Sequence, residues 1–220
     1  MRMSMTHGSR LQRGFTLIEI LVTIVILVFG LLGIVGLQAK ATNVEMEAYQ
    51  RGQALSLLRD MESRIAASRG VVSDGFTQNA LSSTNGSVYL GAGAGAADFT
   101  DADGDCVPPA NVATAAERLV AAKYEACEWG RQLQGVSAQE GTTNVGAMIG
   151  ARGCLIRMDP PENSAVADFY IVVVWQGVAK GSEPPALSPA GLCASGVNYG
   201  AGLRRGMSVR VLVPHLTKET

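Results

Sequence analysis

The chain has 220 residues, a formal net charge of −1 and only two histidines, His7 and His215. The near-neutral charge gives no general attraction to nucleic acid, and an aromatic content of 5% leaves little surface for base stacking. Two histidines near opposite ends argue against a multi-histidine zinc site and a Ser/His/Asp hydrolase, so the composition disfavours an enzyme and predicts no resident cofactor.

The first predicted element is an apolar segment from Phe15 to Leu37, preceded by a basic leader over residues 1–14. The segment is long enough to cross a hydrocarbon core of about 30 Å as a helix. The leader arginines predict a cytoplasmic N-terminus, so that the rest of the chain would lie across the membrane. Hydropathy alone allows a single-pass anchor or a secretory signal cleaved after Ala41. Glu19 needs a further explanation, because a carboxylate within an apolar membrane helix is costly unless a partner neutralises it.

A short motif, Arg13 to Glu19 (RGFTLIE), opens this apolar segment. The motif and the segment resemble the processing signal of type IV pilins and type II secretion pseudopilins. In that family a prepilin peptidase cleaves after the glycine and methylates the new amino terminus, which implies cleavage after Gly14 and N-methylation of Phe15. The resemblance also implies that Glu19 supports subunit docking by pairing with an α-amino group. Residues 1–14 would then be a prepilin leader and residues 15–38 the transmembrane and filament-core helix.

The run from Phe29 to Gln38 (FGLLGIVGLQ) resembles minor pilins of the PilV type. This resemblance implies a structural protein that helps to prime pilus assembly and then lies in the pilus at the cell surface. Its expected partners are prepilin peptidase, other minor pilins, the major pilin and a pilus-tip adhesin, with effects on adhesion and twitching motility. A minor pseudopilin of a type II secretion system is the alternative. Gly30, Gly33 and Gly36 favour close helix packing or unwinding in the fibre, although glycine is common in membrane helices generally.

A helical pattern without proline continues from Lys40 to Arg69, and Gly70 is its predicted stop. The predicted apolar stripe consists of Val44, Ala48, Leu55, Leu58, Met61 and Ile65. Asp60 and Arg64 have the i, i+4 spacing of an ion pair on the face opposite this stripe. Glu47 and Arg51 have the same spacing but fall within the stripe, so the apolar face is interrupted there. One helix from Phe15 to Arg69 is therefore expected, with an apolar first half and an amphipathic second half that forms one wall of a globular domain.

The segment from Val71 to Gly104 is polar and glycine-rich, with a weak strand at Ser87 to Leu90. Its run Gly91 to Ala96 lacks the Lys-Ser/Thr pair of a phosphate loop. An acidic loop contains Asp98, Asp101, Asp103 and Asp105. Alternating carboxylates suit Ca²⁺, but the glycine and the final glutamate of a calcium loop are missing. A Ca²⁺ site and a solvated surface loop both remain open.

The remaining elements are one helix and a series of strands. Thr114 to Glu117 predicts a capping box that opens a helix to about Gln134, with Trp129 in the core or at its edge. The pattern becomes extended after Asn144, and strands are predicted at Gly153–Met158, Asp168–Gln176 and Ser208–Val213, with breaks at Pro160-Pro161 and Pro184-Pro185. The predicted fold is α+β, a pilin-like roll in which the long N-terminal helix packs on a small antiparallel sheet. The resemblance places an extracytoplasmic domain at 39–220 and its variable region at about 71–146.

All four cysteines, Cys106, Cys127, Cys154 and Cys193, follow the apolar segment and are expected on the oxidising side of the membrane. Four cysteines allow three pairings. Proximity in sequence favours Cys106–Cys127 and Cys154–Cys193, and buried free thiols are the alternative.

Two other classes of function were weighed. The acidic loop supplies carboxylates but no adjacent nucleophile and base, so no catalytic residue is predicted. Arg204, Arg205 and Arg210 form a small basic cluster, which is a thin electrostatic footprint for DNA. A solvated strand end is the favoured interpretation of these arginines, and no nucleic-acid partner is expected.

Overall fold

The structure is a computed structural model that describes residues 14–67, 87–90, 105–136, 139–141, 143–144, 146, 148–158 and 166–214. Contacts within the chain divide it into two compact units, with the division between Glu45 and Met46. The fold is α+β, as predicted. Its elements, in chain order, are α1 (Leu17–Ala67), β1 (Ser87–Leu90), α2 (Ala115–Leu133), β2 (Gln139–Glu140), β3 (Thr143–Asn144), β4 (Arg152–Met158), β5 (Val166–Gln176), α3 (Pro189–Leu192) and β6 (Arg204–Pro214).

Helix α1 begins two residues later than expected and is described as far as Ala67, while the predicted stop at Gly70 lies outside the described residues. Within the second unit its buried positions are Gln50, Ala54, Leu58, Met61 and Ile65. The predicted stripe was therefore right at its last three positions and wrong at Val44, Ala48 and Leu55, which are exposed.

The reason for this difference is helical geometry. Ala54 precedes Leu58 by one helical turn and shares its face, whereas Leu55 is rotated by about 100° from Ala54. The small side chain of Ala54 is fully buried, and the larger Leu55 retains 38% of its exposure. Residue size and hydropathy did not reveal which of the two neighbours faces the core.

The sheet contains four antiparallel strands in the order β1-β4-β5-β6. All four strands of this sheet were predicted, although β6 begins at Arg204 rather than Ser208 because Arg204 and Arg205 pair with Gln176 and Trp175 of β5. The short hairpin of β2 and β3 was not predicted. The double proline at 184–185 lies outside the strands, as expected.

Strand β5 lies between two apolar clusters because its side chains alternate between the faces of the sheet. Ile171, Val173 and Trp175 join the cluster formed with α1 and α2. Val172 and Val174 join the cluster on the opposite face, with Cys154, Ala190, Cys193 and Tyr199. Burial on both faces explains why the strand reads as an almost continuous apolar run.

Helix α2 has the predicted capping box. The Glu117 amide donates to Thr114 Oγ1 at 3.3 Å, and the Thr114 amide donates to Glu117 Oε2 at 2.8 Å. This backbone hydrogen bond from Thr114 lowers the pKa of Glu117. Trp129 is fully buried, and its Nε1 donates to the Leu57 carbonyl of α1 at 2.9 Å. The two helices are thus joined by a hydrogen bond within the core.

Two disulfides fasten the ends of loops to these elements. The structure joins Cys106 to Cys127 of α2, and Cys154 of β4 to Cys193, which follows α3. This is the pairing favoured above from proximity in sequence. The second bond holds the chain around α3 against the sheet face opposite α1.

Candidate functional site

The Gly14–Phe15 bond lies in non-helical backbone just before α1. The helix is opened by the Thr16 carbonyl, which accepts from the amides of Glu19 at 3.1 Å and Ile20 at 3.3 Å. Gly14 is exposed and Phe15 retains 79% of its exposure. Exposed backbone outside regular structure is the kind of segment that a protease can enter.

Glu19 lies in the first turn of α1, where the helix dipole favours a carboxylate. Its neighbours Leu17, Ile18 and Ile20 are exposed by 85%, 63% and 51%. None of the described residues forms an ion pair or a side-chain hydrogen bond with Glu19. Cleavage of the Gly14–Phe15 bond would create an α-amino group close to this carboxylate. The chemistry available is therefore the pairing of an amine with a carboxylate at the edge of an apolar helix.

The first half of α1 exposes apolar side chains around its whole circumference, and those from Phe15 to Leu37 are at least 44% exposed. In the described part of the chain, α1 is the one helix long and apolar enough to cross a membrane. An apolar surface of this kind needs lipid or other helices around it.

Gly30, Gly33 and Gly36 lie on this surface, and a Cβ added at any of them would meet no other atom within 4 Å. The fold of the chain therefore does not itself require glycine there. Packing against another helix and unwinding both remain explanations of these residues.

The acidic loop is described only at its last carboxylate. Asp105 Oδ1 accepts from Arg131 Nη1 of α2 at 3.1 Å. Asp98, Asp101 and Asp103 lie outside the described residues. Among the residues that are described, no group of three or more histidine, cysteine or acidic side chains is arranged to hold a metal ion. The calcium hypothesis stays a prediction.

The three arginines considered for DNA binding make contacts within the protein. Arg204 donates to the carbonyl groups of Ala190, Gly191, Cys193 and Ala194 around α3. Arg205 pairs with Glu47 at 3.0 Å, and Arg210 pairs with Asp168 at 2.6 Å. Arg204 thus contacts the chain around α3, Arg205 contacts α1, and Arg210 contacts β5. The expectation of a solvated strand end was wrong for Arg204 and Arg205.

The partner of Glu47 was not predicted. The i, i+4 spacing predicted a local pair with Arg51, but Glu47 Oε1 instead accepts from Nε and Nη2 of Arg205 on β6. Arg205 is only 8% exposed and also donates to the carbonyl of Ala179 at 2.6 Å. The sequence gives no signal that pairs Glu47 with Arg205, because the two residues are far apart in the chain. It shows only that a carboxylate interrupts the otherwise apolar face of α1.

The predicted Asp60–Arg64 pair is present at 2.7 Å, and Arg64 also contacts Glu125 of α2 at 2.6 Å. Burial acts to lower the pKa of Arg64, but hydrogen bonds to Asp60 and Glu125 outweigh it and raise the pKa overall. This second contact ties α1 to α2 beyond the apolar core.

Residues 9–35 match the family described as the prokaryotic N-terminal methylation motif. No curated protein and no solved structure matches the chain. The matched range contains the Gly14–Phe15 bond, Glu19 and most of the exposed apolar surface. The motif implies processing by prepilin peptidase and assembly with other pilins, and its family is structural rather than enzymatic. The motif and the apolar helix fit an inner-membrane anchor, and together they support a type IV pilin-like protein.

Proposed function

We propose that the chain is a minor pilin of the PilV type, which helps to prime a type IV pilus and is incorporated into it. Residues 1–14 would be the leader, residues 15–38 the membrane and filament-core helix, and residues 39–220 the extracytoplasmic domain, with a variable region at about 71–146. The N-terminus would be cytoplasmic before processing. The domain would choose its neighbours among the other minor pilins, the major pilin and a tip adhesin, and so affect adhesion and twitching motility.

The observation that carries this proposal is the arrangement of the N-terminal segment. An exposed Gly14–Phe15 bond precedes a helix whose apolar surface is uncovered, and its first turn carries a carboxylate for which the described residues supply no partner. In lipid or in a helical bundle, an unpaired carboxylate is costly. The amine created at Phe15 removes that cost by pairing with Glu19 of the same or a neighbouring subunit, which favours docking.

Processing is tested by intact mass and N-terminal sequencing of the protein from its native host, with and without prepilin peptidase. The expected result is a chain that starts at N-methylated Phe15 only when the enzyme is present. A start at Met1 in both strains would indicate a plain anchor. A start after Ala41 would indicate an exported soluble protein, and either outcome would refute the proposal.

Assembly is tested with Glu19→Ala in the same host. Cleavage after Gly14 should continue, while the share of the protein in sheared filaments should fall. Glu45→Ala is the matched control, because Glu45 is an exposed carboxylate on the same helix beyond the apolar segment. Equal loss in both variants, or no loss in Glu19→Ala, would contradict the role proposed for Glu19.

Pilus and secretion functions are separated by deleting the gene. Loss of the minor pilin should lower the number of surface pili and twitching motility, with secretion of exoproteins unchanged. Normal pili combined with a secretion defect would indicate a minor pseudopilin instead.

A further inference from the structure

The second unit holds its part of α1 by two stretches of different chemistry. Every described residue of α1 before Glu47 is exposed, and Glu47 is the first that is not. Gln50, about one turn later, is only 3% exposed. The buried apolar positions begin at Ala54 and continue with Leu58, Met61 and Ile65. The helix is thus attached first by a polar stretch, residues 47–53, and then by an apolar stretch, residues 54–65.

The partner of Glu47 is a socket that the sheet side of the unit forms by itself. Nη2 of Arg205 donates to the carbonyl of Ala179 at 2.6 Å. Its Nη1 donates to the carbonyls of Gly202 at 3.0 Å and Arg204 at 3.1 Å. These three bonds hold the guanidinium without any contribution from α1. Glu47 adds only Oε1, which lies 3.1 Å from Nε and 3.0 Å from Nη2 of Arg205.

Two glycines show how closely this socket is built. A Cβ at Gly181 would lie 2.7 Å from Nη2 of Arg205, and a Cβ at Gly177 would lie 3.0 Å from Oε1 of Glu47. The amides of both glycines donate to the carbonyls of residues 202–203, at 2.8 Å and 2.7 Å. The socket is therefore fixed by backbone that follows β5 and precedes β6, and it keeps its shape when the carboxylate leaves.

Gln50 weakens the attachment of the polar stretch. Its Oε1 is buried and accepts no hydrogen bond from any residue that the structure describes. A buried amide oxygen without a partner destabilises the closed state, because the same oxygen is hydrogen-bonded once water reaches it. Separation of the apolar stretch would instead expose Leu58 and Met61 to water, which the hydrophobic effect opposes. The two stretches are therefore expected to separate from the sheet at different free energies.

From these contacts we propose that Glu47 and Arg205 form a latch, which lets the polar stretch separate from the sheet and return while the apolar stretch stays attached. The socket of Arg205 is the fixed part, and Glu47 on the helix is the moving part. Opening is a local equilibrium that precedes global unfolding. It lengthens the exposed part of α1 by residues 47–53, about 10 Å of helix, and leaves the apolar core intact. The latch goes beyond the proposed function and does not depend on it, because it is a property of the second unit alone.

The latch is tested by thiol labelling of the full-length chain in detergent. All four natural cysteines are in disulfides, so an engineered cysteine is the single free thiol. Gln50→Cys and Ala54→Cys replace residues that are 3% and 0% exposed, so the closed structure protects both positions alike. With each rate divided by that of the same variant in denaturant, Gln50→Cys should react with a maleimide about tenfold faster than Ala54→Cys, or more. Equal protection of the two thiols would overturn the proposal.

Glu47→Gln separates the latch from a general loss of stability. Added to Gln50→Cys, it should speed labelling about tenfold, because the charged hydrogen bonds of the closed state are weakened. Added to Ala54→Cys, it should leave the rate unchanged. Glu45→Gln is the matched control, because Glu45 is an exposed carboxylate on the same helix, and it should affect neither rate. Equal acceleration at both thiols by Glu47→Gln would show that only global unfolding exposes them, and this result, like no acceleration at position 50, would refute the latch.

Discussion

Replacement of Gly153 by alanine tests how closely α2 packs on the sheet. A Cβ at Gly153 of β4 would lie 2.4 Å from Cζ3 of Trp129 and 2.5 Å from Cδ1 of Leu133, where ordinary contacts are 3.4–4 Å. Both side chains are buried, and the Trp129 Nε1 is held by the Leu57 carbonyl. The helix therefore has to move by about 1 Å, or the tryptophan has to leave its hydrogen bond.

The cost follows from these contacts. Overpacking of a dense core costs about 1–3 kcal/mol, and a weakened hydrogen bond costs about 1 kcal/mol more. Alanine restricts the unfolded chain more than glycine does, which offsets about 0.5–1 kcal/mol. We expect Gly153→Ala to lower the free energy of unfolding by about 2 kcal/mol, which corresponds to a melting temperature lower by about 4–8 °C in a domain of this size.

The assay is thermal unfolding of the full-length chain in detergent with its disulfides intact, followed by the near-ultraviolet signal of the buried tryptophans. Gly196→Ala is the control, because a Cβ there meets nothing within 4 Å. Trp129→Phe removes the ring atoms that clash, so combining it with Gly153→Ala should destabilise less than the sum of the two single changes. A Gly153→Ala variant that melts with the wild type would refute the close packing of α2 on β4.

Three further predictions concern two ion pairs and the two disulfides. Glu47→Gln should lower the free energy of unfolding by about 2 kcal/mol in chemical denaturation, because the buried Arg205 loses its charged partner. Glu45→Gln is the control and should have no such effect, because Glu45 is exposed. The hydrogen bond from Arg210 lowers the pKa of Asp168, so this carboxylate contributes stability above the ordinary pKa of about 3.9, and that stability is lost as pH falls through the lowered value. Asp168→Asn should therefore make the stability profile below about pH 4 less steep, and an unchanged acid limb would contradict the assignment. Replacing Cys154 and Cys193 together by serine should lower the free energy of unfolding by about 4 kcal/mol, because this disulfide closes the larger loop. The same change at Cys106 and Cys127 should lower it by about 3 kcal/mol. The reverse order in denaturant unfolding would count against loop entropy as the cause.

Local patterns were enough to predict α1, α2 and the four strands of the larger sheet. The apolar run after Phe15, the capping box at Thr114 and the apolar run of β5 are each encoded in a few adjacent residues, because helix periodicity, capping and strand burial are local effects. The N-terminal methylation motif was equally readable, since it is a short linear motif that lies within residues 9–35. Each of these features is therefore encoded by residues that are adjacent in the chain.

Contacts between distant parts of the chain were decided only in the tertiary structure. The sequence alone marked Glu47 as an interruption of the apolar face, and its partner Arg205 became apparent once β6 lay beside α1. Likewise, Leu55 and Ala54 differ by one position, and the placement of the sheet determined that the smaller residue is buried. Arg51 is left without its expected partner for the same reason, because Glu47 pairs with Arg205. Amino-acid identity determines what a side chain can do, while the packing of elements far apart in sequence determines which partners it meets.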